Sequence, residues 1–184
     1  MKKPGKLIKL LFVAVILCGL YFLLFTVEYH GMVIDADTRQ PIEGAIVVAE
    51  WVEVQRSWFG IAGRNTTTGK VKETLTDQQG KWSMLGPRGD WAKKLLFFSY
   101  LRSPEFIVWI PGYCPSPKTV VFDVCKRTTP RTHGRGDTVE LERLAKREDR
   151  KRALPRLTDN NFERNLKDYL ELRDQELEYL YGRK

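Results

Sequence analysis

The fold is indicated most clearly by residues 31–49, GMVIDADTRQPIEGAIVVA. A second stretch with a similar pattern, TLTDQQGKW, follows at residues 74–82. Each stretch predicts a strand, a tight turn and a second strand, because β-branched and apolar runs flank turns that are rich in Asp and Gly. Gly80 suits a left-handed turn position, where a Cβ would be penalised. Pro41 fixes φ where the chain leaves the first turn, and Gly44 allows a bulge before the next strand. The two stretches indicate a β-rich domain.

Three groups of residues match the sequence motifs of a known domain family: one in each of the two stretches, and a Gly-Tyr pair later in the chain. They are Gly31, Val33, Asp35, Thr38, Pro41, Ile42, Gly44, Ala45, Val47, Thr76, Asp77, Gly80, Trp82, Gly112 and Tyr113. Over Tyr29 to Val124 this set resembles the carboxypeptidase regulatory-like domain, a mainly β Greek-key sandwich of transthyretin-like architecture. The resemblance implies a sandwich over residues 29–125 that binds or scaffolds and does not catalyse.

An uncharged run of 18 residues, Leu10 to Val27, follows four lysines near the N-terminus. With Leu7 and Ile8 it reaches the length of an apolar segment that spans a bilayer. Because lysines favour the cytoplasmic side, we expect residues 1–28 to form a single-pass transmembrane signal-anchor with the N-terminus inside. The rest of the chain would then face the periplasm or the cell exterior, beyond the inner membrane. A cleaved signal peptide is the alternative, and lipidation of Cys18 is a weaker one.

The net charge of +8 belongs to the two ends of the chain. Glu28 to Cys125 contains 11 basic and 11 acidic residues, whereas Lys126 to Lys184 contains 16 basic and 12 acidic residues. A neutral β-domain argues against a nucleic-acid-binding face. We therefore expect the membrane, together with a protein or a glycan, as the partner, and no nucleic acid.

Cys114 and Cys125 follow two predicted strands, Phe106 to Ile110 and Thr119 to Val124. An exported domain permits a disulfide between them, and such a bond would close a short loop. Two unpaired buried thiols are the alternative. The two cysteines could also form a metal site with His30 and His133, but the chain has no Cys-x-x-Cys spacing to support it.

Signals for catalysis are sparse, so we expect no enzyme activity and no cofactor. The sequence contains neither a Ser-centred elbow, nor a zinc-ligand helix, nor a phosphate-cradling Gly loop. Asp35, Asp37 and Asp77 could supply a calcium site, but Asp is also the residue expected in turns. A related transthyretin-like family hydrolyses a purine-derived substrate, but Tyr181 to Lys184 does not match the terminus that this activity needs.

Two predicted insertions, Gln55 to Lys72 and Gly86 to Pro104, carry aromatic residues in loops. Trp58, Phe59 and Trp91 could stack on a sugar or contact a protein partner, since binding modules place their specificity in loops. The alternative is that these side chains plug the end of the sandwich. The first reading makes the domain a carbohydrate-binding accessory module, which is the alternative to a scaffolding role.

After Cys125 the composition changes to a linker over residues 126–157, with a possible edge strand from Asp137 to Leu144 and a charge run from Ala145 to Arg152. A helical tail is predicted over residues 158–184, beginning at Thr158 or Asp159. Its apolar stripe comprises Phe162, Leu166, Tyr169, Leu170, Leu177 and Leu180, with Glu171, Arg173, Asp174, Glu176 and Glu178 on the other face. The helix could pack on the sandwich, bind a partner helix or lie on the membrane.

Overall fold

A computed structural model gives the structure of the chain. It describes residues 26–55, 65–87, 99–117, 125–129, 131–155 and 166–182, together with Gly5, residues 10–17 and Gly19. The described part is mainly β, with two sheets and two helices after them. The strands are β1 (Glu28–Asp35), β2 (Ile46–Gln55), β3 (Asn65–Leu75), β4 (Lys81–Leu85), β5 (Ser99–Leu101), β6 (Glu105–Trp109) and β7 (Arg135–Leu141). The helices are α1 (Arg147–Arg152) and α2 (Lys167–Tyr181).

Sheet A has the order β4-β1-β7, in which β1 runs antiparallel to β4 and parallel to β7. Sheet B is centred on β2, which pairs with β3 along one edge and with β6 and β5 along the other, all antiparallel. The β1 and β2 strands predicted around Val33 and Val47 are thus the central strands of the two sheets. The strand predicted over Phe106 to Ile110 is β6, whereas the one predicted over Thr119 to Val124 lies outside the described residues.

In the described part of the chain, an apolar core lies between the sheets. Its members alternate along their strands, as expected where one face of a sheet is buried. The largest contributions come from Trp51 of β2, Trp82 of β4 and Phe106 of β6, and the Trp82 and Phe106 ring centroids are 5.3 Å apart. Gly31 is required in this core, because a Cβ there would lie 2.9 Å from the Trp82 indole nitrogen.

The tail helix α2 packs on the outer face of sheet B. Ile46 and Val48 of β2 and Trp109 of β6 form a second apolar cluster with Leu166 and Tyr169. Of the three sequence-based alternatives for this helix, the structure shows the one in which it packs on the sandwich. Its predicted N-caps, Thr158 and Asp159, lie outside the described residues.

The N-terminus of α2 is held by a carboxylate from sheet B. The Glu73 side chain of β3 accepts hydrogen bonds from the backbone N–H groups of Asp168 and Tyr169, each at 3.1 Å. These two donors have no partner within the helix, and a negative charge there also favours the helix dipole. The register of α2 on the sheet is therefore fixed by a polar contact as well as by apolar packing.

A buried ion pair joins α1 to α2. Arg150 makes a bidentate contact with Glu176, whose side chain is only 2% exposed. The Arg150 guanidinium also lies 3.9 Å from the centroid of the Tyr179 ring, and Arg147 donates to the carbonyl of Leu180. The sequence-based assignment of Glu176 to the polar face was wrong, since its partner lies 26 residues away and helical periodicity does not reveal it.

Two further boundaries differ from the sequence-based expectation. The stretch from Gln55 to Lys72 is not all loop, because β3 begins at Asn65 and pairs with β2 as far as Gln55. The segment predicted as a linker after residue 125 contains β7, whose Val139 and Leu141 are fully buried in the main core. The sandwich therefore continues past residue 125, with the anticipated edge strand at one edge of sheet A.

Cys114 and Cys125 are joined by a disulfide. Both half-cystines are buried in a small cluster with Leu144 and Ala153, next to α1. The bond ties the segment after β6 to the segment that leads into β7. Ala153, directly after α1, packs in the same cluster, so the end of α1 lies beside the disulfide.

The N-terminal apolar run falls largely on residues outside the described part, since only residues 10–17, Gly19, Thr26 and Val27 of it are described. Residues 10–17 are helical and exposed. Within the described residues, the structure contains no helix with the length and apolar character needed to cross a bilayer.

Replacing Glu176 with Ala tests the ion pair that holds the tail. The substitution leaves the Arg150 charge without its partner in a largely buried position, so we expect the free energy of unfolding to fall by about 3 kcal/mol. Urea unfolding followed by tryptophan fluorescence measures the change. Glu178→Ala, on the exposed face of the same helix, is the matched control and should change stability by less than about 0.5 kcal/mol. Equal losses in the two variants would contradict this role for the pair.

Candidate functional site

The outer face of sheet A carries the candidate site. Because Tyr29, Gly31 and Val33 of β1 point towards the core, His30 and Met32 point away from it. The strand register places Met32 between Lys81 of β4 and Thr138 of β7, and it places His30 beside Ser83. His30, Lys81, Ser83 and Thr138 are exposed and Met32 is half-buried. Two adjacent rows of side chains therefore lie open on this face.

These rows line a groove of about 590 Å³, which we call the open-face groove. Its floor is formed by β1, β4 and β7, and its wall by Thr74, Leu75 and Asp77 at the end of β3 and in the turn that follows. Leu75 is 43% exposed. A β-bulge shapes the groove, since the β1–β7 register shifts between His30 and Gly31.

The polar side chains of the open-face groove differ in their hydrogen bonds and ion pairs within the protein. Asp77 accepts hydrogen bonds from the backbone N–H groups of Gln79 and Lys81, at 2.9 and 2.8 Å, so its carboxylate is engaged in the turn. Lys81 and His30 form no ion pair with any residue in the described ranges. The groove therefore offers one lysine ammonium group, an imidazole and hydroxyl groups beside the apolar surfaces of Met32 and Leu75.

Trp82 also lines the open-face groove, and its indole nitrogen is a buried donor. Within the described residues this N–H has no hydrogen-bond acceptor. An unsatisfied buried donor costs about 1–3 kcal/mol, and such groups are few in native proteins. A buried water molecule within hydrogen-bonding distance of the indole nitrogen would remove that cost.

The residues that carry the family resemblance have structural roles. The buried Thr76 hydroxyl donates to the carbonyl of Ile42 and accepts from the N–H of Ala45, at 2.7 and 2.8 Å. Gly80 has φ 70°, and a Cβ there would lie 2.4 Å from the carbonyl oxygen of Val33. Pro41 bridges to Ile34, and Gly44 has φ 73°. The motif shapes the turns that join the sheets.

The Asp35 carboxylate organises the turn after β1. It accepts hydrogen bonds from the N–H groups of Asp37 and Thr38 at 2.7 and 2.8 Å, and from the Tyr113 hydroxyl at 3.0 Å. Burial acts to raise the pKa of Asp35, but these hydrogen bonds outweigh it and lower the pKa below its ordinary value. Burial and the contact with Asp35 in turn raise the pKa of Tyr113.

The carboxylates considered for calcium are separately engaged. Asp35 and Asp77 bind turn amides, and Asp37 pairs with Arg127. In the ranges that the structure describes, no three or more His, Cys, Asp or Glu residues form a group able to hold a metal ion. The arrangement of the three Asp side chains is thus that of turn and ion-pair residues.

The aromatic residues predicted to contact a ligand, Trp58, Phe59 and Trp91, lie outside the described residues. The open-face groove was not predicted from the sequence. Its residues His30, Met32, Lys81, Ser83 and Thr138 come from three strands, so no local pattern connects them. Successive side chains of a strand point to opposite faces of a sheet. This alternation along β1 is the one signal that could have placed His30 and Met32 on the outer face.

Comparisons with protein-family models, with curated proteins and with solved structures found no match to this chain. The resemblance to the carboxypeptidase regulatory-like domain therefore stays a prediction that rests on the residues quoted above.

Replacing Asp35 with Asn tests the turn at the end of β1. Because the folded-state pKa of Asp35 is lowered, its ionised form stabilises the fold above the ordinary value of 3.8, and this stability is lost as the pH falls through the folded pKa. We expect Asp35→Asn to lose about 1–2 kcal/mol at neutral pH.

Urea unfolding of both proteins at about pH 7 and about pH 2.5 measures the effect. The difference between wild type and Asp35→Asn should shrink at the lower pH. A difference that stays constant across this range would show that the charge on Asp35 does not stabilise the fold.

Proposed function

We propose that this chain is a non-catalytic, membrane-anchored binding module that holds a partner protein on the outer face of sheet A. The apolar run before residue 28 is the proposed single-pass anchor, with the N-terminus in the cytoplasm and the sandwich outside the inner membrane. The fold proposed for the sandwich is the transthyretin-like Greek key of the carboxypeptidase regulatory-like family.

The observation that carries the proposal is the unequal use of the two sheet faces. On sheet B, α2 packs over Ile46, Val48 and Trp109 and buries these side chains of the outer face. Sheet A presents the open-face groove, in which the side chains of three strands are exposed. The volume of the open-face groove, about 590 Å³, falls in the range of about 300–1,000 Å³ that is usual for concave binding sites.

The chemistry of the open-face groove favours an extended, acidic segment of the partner. Lys81 is positioned to attract a carboxylate and His30 to form a hydrogen bond, while Met32 and Leu75 offer apolar contact. Strand β4 lies at the edge of sheet A beside this groove, which suits recognition of an extended chain.

The carboxylates whose pKa values are lowered have structural partners. The Asp residues with lowered pKa values, Asp35 and Asp137, have hydrogen-bonding partners that maintain turns and loops. Perturbed carboxylates of this kind are explained by structure.

Site-specific photocrosslinking in intact membranes tests the proposal. Benzoylphenylalanine is placed at Ser83 in the open-face groove and, as a control, at Gln175 on the exposed side of α2. We expect a discrete protein adduct from position 83 and none from position 175. Adducts of the same mass from both positions, or from neither, would contradict the assignment of the partner to sheet A.

A charge reversal tests the predicted chemistry of the partner. Lys81→Glu should lower the yield of the adduct at position 83 roughly two- to fivefold, because an attraction for a carboxylate becomes a repulsion. Lys146→Glu changes the net charge equally, on an exposed residue just before α1, and should leave the yield unchanged. An equal fall in both variants would mean that overall charge, and not the groove, controls the encounter.

A further inference from the structure

A second recess lies at the end of the sandwich where the chain enters β1, and we call it the entry recess. It has a volume of about 440 Å³ and is lined by Tyr29, Ser103, Pro104, His133, Arg135 and Asp137. Among the residues that the structure describes, it shares no lining residue with the open-face groove. The entry recess is therefore a separate candidate for a ligand.

The wall of the entry recess is preformed. The Asp137 carboxylate accepts hydrogen bonds from the Thr132 hydroxyl at 3.0 Å and from the His133 N–H at 2.6 Å. The Gly134 carbonyl accepts from the N–H of His30 at 2.9 Å, and a Cβ on Gly134 would lie 2.6 Å from the Phe106 ring. The segment that the sequence indicated as a linker is thus fixed against β1 and the core.

Arg135 is the group of the entry recess that can attract an anion. The Asp137 carboxyl is ionised at neutral pH, because the hydrogen bond from the His133 N–H lowers its pKa more than burial raises it, and its Oδ2 atom is held by Thr132 and His133 of the loop. Arg135 is exposed and makes no ion pair with the described residues, whereas the nearby Glu105 is paired with Arg131. A guanidinium with hydroxyl donors from Ser103 and Tyr29 is a set that recognises phosphate.

The entry recess lies close to the apolar run in the sequence, and this limits its distance from the membrane surface. Tyr29 is two residues from Val27, the last residue of the apolar run. Two extended residues span at most about 7 Å. The polar layer of each leaflet is about 5–8 Å thick, so a chain anchored by this run holds the entry recess at the level of the lipid headgroups.

We propose that the entry recess binds the phosphate group of an anionic phospholipid in the leaflet from which the sandwich emerges. The Arg135 guanidinium contacts the phosphate, and Ser103 and Tyr29 donate hydrogen bonds to its oxygens. Bound lipid fixes the orientation of the sandwich against the membrane. This inference rests on the anchoring that is part of the proposed function, but not on the identity of the protein partner.

Native mass spectrometry of the full chain tests the proposal. The protein is extracted from membranes in detergent and mixed with equal amounts of phosphatidylglycerol and phosphatidylcholine of identical acyl chains. We expect the wild type to retain phosphatidylglycerol in preference to phosphatidylcholine. Arg135→Gln should lower the retained phosphatidylglycerol about tenfold, which is the effect of losing one charge-assisted contact.

Arg152→Gln is the matched control, since it removes one exposed arginine from α1. It should leave lipid retention unchanged, and both variants should unfold at the urea concentration of the wild type. Equal retention of the two lipids by the wild type, or equal losses in the two variants, would overturn the lipid site. Displacement of the lipid by equimolar inorganic phosphate would assign the recess to free phosphate and would also overturn it.

The same spectra separate this inference from the proposed function. A chain that lacks the N-terminal apolar run would show by its mass that the anchoring premise is wrong. A chain of full mass without a preference for phosphatidylglycerol would overturn the lipid site and leave the anchored module intact. A crosslinked partner at position 83 is independent of either result.

Discussion

The packing of α2 on sheet B determines which surfaces of this protein can bind a partner. Leu166 and Tyr169 close the apolar face formed by Ile46, Val48 and Trp109, and the Arg150–Glu176 pair holds the far half of the helix. An antiparallel sheet with one apolar outer face would otherwise expose that face to water. Once α2 covers it, the outer face of sheet A is the open face of the sandwich, and the open-face groove lies on it.

The two ends of the sandwich differ in structure. At one end the Asp35 turn, the Thr76 hydroxyl and Gly80 join the sheets through hydrogen bonds and close packing. At the other end the chain enters from the apolar run, next to the entry recess. The groove and the recess are thus built on strands and fixed loops. Rigid elements of this kind position binding groups without a large ordering cost.

The sequence predicted those elements whose signals are local. β1, β2 and β6 follow from runs of β-branched residues, and the turn that ends at Gly80 follows from its need for a positive φ. The first half of β3 was missed because residues 65–69 are polar and resemble a loop. β7 was placed outside the sandwich because its parallel partner, β1, lies about a hundred residues earlier. The burial of Glu176 depends on Arg150, and the groove depends on three strands, so neither has a local signature.

We propose that a partner occupies the outer face of sheet A while α2 stays on sheet B. Hydrogen exchange of the chain can be measured by mass spectrometry in its native membrane and again after purification in detergent. If the proposed partner is bound in the membrane, we expect slower exchange there for β4 and β7 and the same exchange for α2 in both samples. Slower exchange in α2 with no change in β4 and β7 would contradict it.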